Sequence, residues 1–171
     1  EELGIEHRVP LRMGTLSKGV GSVGGFIAGR QETIDWLVNK VRPYIYSTNI
    51  PAAAAAASTQ GLEIIRRHPQ WRQTLRIMAS RFRDACAEWG WNTSTSQTQI
   101  IPIIVGEPAP TLELARSLAS QGFWCPAIRP PTVPAGTCRL RISLSLNHKA
   151  FDINGLLHAI QTQTEAIANR K

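Results

Sequence analysis

The clearest alternation of apolar and polar positions runs from Cys138 to Leu146. Leu140, Ile142, Leu144 and Leu146 interleave there with Arg139, Arg141, Ser143 and Ser145. A period of two separates the sets onto opposite faces, so the segment predicts a half-buried strand with both arginines on its polar side. A helical period replaces it from Pro69 to Gly90, where Trp71, Leu75, Met78, Ala79, Phe82 and Ala85 share a face. The same spacing predicts helices over Gln31 to Val41, through Ile34, Leu37, Val38 and Val41, and over Pro110 to Gln121, which Gly122 stops. A last amphipathic helix is expected from Ala150 to about Asn169, capped by Asn147 or Asp152. Pro51 opens a helix through Ala52 to Ala57 that reaches about Arg67, proline suiting the first helical position. Its small side chains permit close packing, and Gly61 gives it a place to bend. Short apolar runs at Val9 to Leu16, Ser22 to Ala28, Ile100 to Val105 and Phe123 to Ile128 predict strands. Pro102 puts the third of these at a sheet edge or a bulge. The order is that of an α/β chain whose boundary lies in the Pro51 to Arg67 helix.

Composition narrows the picture. At 171 residues and 43% hydrophobic, the chain can bury the core of one domain or of two small lobes. The net charge of +7 fits an anionic small substrate or a solvated basic face. No basic stripe interleaved with aromatics and no zinc-finger spacing accompanies it, so no nucleic-acid partner is expected. No apolar run approaches the length of about eighteen residues that reads as a membrane span. The acidic, polar start at Glu1-Glu2-Leu3-Gly4 does not read as a signal peptide. Cys86, Cys125 and Cys138 lack metal-ligand spacing and read as reduced, buried thiols of a cytoplasmic protein. His7, His68, His148 and His158 are too scattered to mark a metal site.

The chemistry concentrates in Gly14-Thr15-Leu16-Ser17-Lys18-Gly19-Val20-Gly21-Ser22-Val23-Gly24-Gly25. A lysine on a glycine-lined turn can bind a phosphate, or its neutral amine can attack a carbonyl to form a Schiff base. The nucleotide phosphate loop is excluded, because Lys18 follows Ser17 rather than glycine and precedes Gly19 rather than a hydroxyl residue. Gly19-x-Gly21-x-x-Gly24 has the spacing of a dinucleotide fingerprint, but a strand follows it rather than a helix. Residue types alone leave the Schiff-base lysine beside a plain glycine-rich hairpin with an exposed lysine.

The pattern Thr15-x-x-Lys18-x-x-Gly21-x-x-Gly24-Gly25 resembles the cofactor-lysine segment of the α-oxoamine synthases, within the fold-type I pyridoxal-phosphate superfamily. The resemblance implies that Lys18 carries pyridoxal 5'-phosphate and that Thr15 contacts its phosphate. Tyr46-Ser47-Thr48 resembles a loop that reaches the cofactor phosphate of the other subunit of a homodimer, through Thr48. The stiff loop Arg129-Pro130-Pro131-Thr132-Val133-Pro134-Ala135-Gly136-Thr137, followed by Arg139-Leu140-Arg141, resembles the family's substrate segment. There Thr132 would touch substrate, and Arg141 would hold the amino-acid carboxylate. From composition alone, Arg139 and Arg141 read equally as solvated residues of a half-exposed strand. His148 follows the strand, as a histidine often does in the family, and is given no role.

The implied activity is decarboxylative condensation of an amino acid with an acyl-CoA. The double proline before Thr132 is most similar to the branch that joins L-alanine to a pimeloyl thioester. A sister synthase using glycine, and a non-catalytic assembly module, are the alternatives. The implied layout is residues 1–50 as the end of a cofactor-binding large domain, 51–68 as a connecting helix and 69–171 as a small domain, its antiparallel sheet covered by helices. Members of the family are about twice this length, so the chain is expected to be a C-terminal portion that binds cofactor poorly and is inactive alone.

Overall fold

The computed structural model describes residues 4–168, and the chain divides into two compact units, Glu1–Pro69 and Gln70–Lys171. Asn169, the expected end of the last helix, lies outside the described residues.

In the first unit, β1 (Leu11–Thr15) and β2 (Gly25–Gly29) form an antiparallel ribbon with Met13 opposite Ile27. The Lys18 turn joins them. Helix α1 (Gln31–Lys40) follows, with Ile34 and Leu37 half-buried and Val38 exposed. A short α2 (Arg42–Ile45) then leads to the loop before α3 (Ala52–Arg67). Pro51 caps α3 rather than occupying its first turn. Its backbone is extended, and its carbonyl accepts the first helical hydrogen bond from the Ala55 amide at 3.1 Å. A proline contributes its carbonyl there while its missing N–H costs nothing. Leu16 and Ser58 are the buried residues of this unit among those described.

The second unit is a three-stranded antiparallel sheet in the order β3-β5-β4, with α4 (Gln70–Glu88), α5 (Pro108–Ser120) and α6 (Ala150–Ala168). Strand β5 (Cys138–Ser143) lies at the centre, between β3 (Ile100–Gly106) and β4 (Ala127–Ile128). The alternation appears as expected: Cys138, Leu140 and Ile142 are buried, while Arg141 and Ser143 are exposed. The buried face meets Phe82 and Cys86 of α4, Leu114 and Leu118 of α5, and Ile160 of α6 in one core. Burial pushes the Cys86 thiol up to about 12 and the Cys125 thiol up to about 11, because an apolar interior disfavours a thiolate.

Pro102 sits on edge strand β3, opposite Arg141, and a register shift follows between Ile104 and Gly106. The Arg141 amide donates toward β4, to the Pro126 carbonyl at 3.0 Å. Pro102 and Arg141 are therefore a pair that exchanges no ladder bonds, and the missing proline N–H falls on the outer edge. Two positions along, the Ile104 amide uses that same outer edge to reach the Asn92 carbonyl.

Other boundaries move for identifiable reasons. Helix α5 starts at Pro108, not Pro110, because the Glu107 carbonyl already accepts from the Thr111 amide and hydroxyl. Strand β4 covers two residues instead of six. The Phe123 amide donates to Leu118 and that of Gly122 to Ala119, closing α5 through Gly122 at φ +88°, and Pro126 has no amide to give. Strand β5 ends at Ser143, although the Leu144 amide still donates to Gln99. Asp152, rather than Asn147, caps α6, accepting the Lys149 amide at 2.8 Å from the third helical position.

Candidate functional site

Lys18 lies exposed on a turn that the backbone closes twice. The Ser22 amide donates to the Leu16 carbonyl and the Gly21 amide to the Lys18 carbonyl, both at 2.9 Å. Gly21 takes φ +74° and Gly24 φ +100°, which side-chain-bearing residues rarely adopt. Leu16 is 6% exposed and anchors the strand end from which the lysine leaves.

Thr15 ends β1. Its Oγ1 shares a 2.7 Å hydrogen bond with Ser17 Oγ and accepts from the Ser17 amide at 3.2 Å. The turn thus offers one primary amine and two hydroxyls, with open space where a Cβ would stand on Gly19 or Gly21. Such a set can bind a carbonyl carbon through the amine and anionic oxygens through the hydroxyls. Thr48 lies exposed in the same unit, on the loop between α2 and α3. Ile50 of that loop stands 3.1 Å from where a Cβ on Gly24 would be.

Thr132 and Arg141 belong to the second unit. Thr132 is exposed in the β4–β5 connection, where its amide closes a turn onto the Arg129 carbonyl at 3.0 Å. Arg141 is exposed on the polar face of β5, beside Arg139, whose Nε donates to the Thr137 carbonyl at 2.9 Å. A guanidinium so placed can take a carboxylate through two parallel hydrogen bonds. His148 accepts the Ser145 amide at Nδ1, at 3.3 Å, and borders a recess of about 320 Å³ with Trp124, Ser143 and Asp152. Sequence reasoning missed Ser22, Ala54 and Ser58. Ser22 and Ser58 both donate to the Ala54 carbonyl, and the alanine-rich, small-residue character of α3 was the available signal. Helix α3 runs through Gly61 as one element, and the Val20 carbonyl rests against that glycine.

Among the described residues, no group of three or more His, Cys, Asp or Glu side chains could hold a metal ion. No described helix is long and apolar enough to cross a membrane.

The family model for aminotransferase class I and II matches residues 2–160. The 8-amino-7-oxononanoate synthase of Aeromonas hydrophila is 45% identical over 152 residues, which cover 89% of this chain and 38% of that protein. The synthase of the same name from Geotalea daltonii is 41% identical over 162 residues, covering 94% and 41%. The chain therefore spans about two fifths of the length of these curated relatives. Among solved structures, Sphingomonas wittichii serine palmitoyltransferase matches with a TM-score of 0.89 at 28% identity, over 97% of this chain and 42% of that one. A structure of SPT with PLP as internal aldimine matches with a TM-score of 0.90 at 26% identity, over 98% and 43%. The 8-amino-7-oxononanoate synthase of Francisella tularensis shares the fold, with a TM-score of 0.78 at 21% identity over 92% and 46%.

Proposed function

This chain belongs to the class I and II aminotransferase family, and we propose that it carries the cofactor lysine of a pyridoxal-phosphate enzyme that condenses L-alanine with a pimeloyl thioester. That activity is 8-amino-7-oxononanoate synthesis, a step of biotin formation. The observation that carries the reading is Lys18, exposed on a glycine-shaped turn and followed back by the Thr15 hydroxyl, in a chain 45% identical to a synthase of that name.

The donor set suits the cofactor: an aldehyde needs an amine, and a phosphate needs donors such as Thr15 Oγ1. Pyridoxal phosphate, when bound, supplies an aldehyde carbon and a ring that stores the electrons of an α-carbanion. Lys18 Nζ would hold the cofactor through that carbon, and the same primary amine, when free, would serve as the base for an α-proton. Thr15 and Thr48 would donate to phosphate oxygens, Thr48 to those of the cofactor held by the other subunit of a homodimer. Arg141 pairs with a carboxylate and Thr132 touches substrate. The basic excess of +7 favours an anionic acyl-CoA or acyl carrier.

On this reading, residues 1–50 end a cofactor-binding large domain, 51–68 form a connecting helix and 69–171 a small domain, in a cytoplasmic enzyme. Borohydride reduction of the complete enzyme with pyridoxal phosphate, followed by peptide mapping, is expected to tag Lys18. A tag on Lys40 or Lys149 instead, or none, overturns the assignment. The match to serine palmitoyltransferase favours a second reading, a sister synthase using another amino acid. The higher identity to the 8-amino-7-oxononanoate synthases favours alanine, and turnover of alanine against glycine and serine by the complete enzyme decides between them.

A further inference from the structure

The turn that carries Lys18 rests on α3 at a contact without slack. A Cβ on Gly61 would lie 2.5 Å from the Val20 carbonyl oxygen and 3.1 Å from Val20 Cγ1. The oxygen is backbone and cannot swing aside as a side-chain end could. Earlier on the same helix, the Ala54 carbonyl accepts Ser22 Oγ and Ser58 Oγ, each at 2.8 Å. Positions 54, 58 and 61 are spaced four and three apart and so share a helical face. Ser58 is only 6% exposed, so its hydroxyl is a committed internal bond. Val20 and Ser22 are not bystanders in the turn. The Ser22 amide holds the Leu16 carbonyl and the Gly21 amide holds the Lys18 carbonyl, so a displacement at Val20 is passed to the lysine.

We infer that Gly61 and Ser22 are positioning residues: the small-residue face of α3 is the seat that sets where Lys18 Nζ points. The inference rests on the reading of Lys18 as the cofactor lysine. It makes a prediction of opposite sign to the helix's own preference. Alanine forms helix better than glycine. If Gly61 served only α3, Gly61→Ala would leave the turn untouched. If Gly61 is the seat, the added methyl drives Val20 away and loosens the turn.

The test uses the complete enzyme with pyridoxal phosphate in excess. One readout is the rate of borohydride-trapped labelling at Lys18, and the other is hydrogen exchange of the amides at positions 21 and 22. Gly61→Ala is expected to slow labelling and to speed exchange by about tenfold or more each, with the helical circular-dichroism signal retained. Ser22→Ala should move both readouts in the same directions by less. Gln60→Ala, at an exposed neighbour on α3, should move neither. Unchanged labelling and exchange in Gly61→Ala overturn the inference. If Gly61→Ala loses its helical signal, Ser22→Ala decides, and unchanged exchange there overturns it equally. If Lys18 is not labelled in the parent chain, the cofactor reading falls, and amide exchange alone then decides whether α3 seats the turn.

Discussion

The two units of this chain solve the problem of burial in opposite ways. The second packs α4 and α5 on its sheet and α6 against those two helices, and Phe82, Ile101, Ile103, Leu118, Leu140 and Ile160 are fully enclosed. The first carries the candidate lysine on a ribbon whose β2 is exposed throughout, with Met13 and Ile27 open on one face and Phe26 on the other. A two-stranded ribbon is marginal by itself. The unit that packs its own core holds Thr132 and Arg141, whereas the unit that holds Lys18 has little core of its own. Its turn is fixed by local hydrogen bonds and by α3.

The contrast yields measurements of graded size. Phe82→Ala removes a fully buried ring and should cost about 3–5 kcal/mol in urea unfolding. A loss below about 1 kcal/mol would mean that the second unit is not independently packed. An alkaline titration should separate the units next. The Cys86 and Cys125 thiols ionise later in the fold than in the open chain, so the unfolded state loses its protons first as pH rises. The stability they lend is whole below about pH 9 and drains away toward pH 11–12. At neutral pH, maleimide should leave both unlabelled until denaturant opens the second unit. Thr111→Val should cost about 1 kcal/mol, because the buried hydroxyl gives up a 2.6 Å bond to the Glu107 carbonyl while the methyl still fills the space. At the small end, Met13→Ala and Arg141→Ala should each shift stability by less than about 0.5 kcal/mol, since both side chains are exposed. If Arg141 holds a carboxylate, its variant should nevertheless raise KM for the amino acid in the active enzyme.

Much of the second unit could be read from sequence because its signals are local. The Leu140, Ile142, Leu144 alternation and the Phe82 and Ala79 stripe each report burial through spacing alone. Strand β4 could not be read that way. Its length is decided by which amides find partners, and those of Gly122 and Phe123 turn back to close α5. In the first unit the lysine turn announced itself through glycines, because positive φ leaves a compositional trace. Its support did not. Ser22 and Ala54 are 32 residues apart, and a shared carbonyl between them leaves no periodic mark. Gly61 looked like a weak point in a helix, and only the nearby Val20 carbonyl shows why nothing larger stands there.

Pro102 has a last consequence. By turning its blank nitrogen outward, it leaves a gap in the row of donors along the outer side of β3, next to the position where Asn92 already occupies Ile104. A stray strand arriving in crowded solution would find no continuous template to zip onto there. The proline that looks like a flaw in an apolar run thus acts as insulation against sheet-to-sheet aggregation.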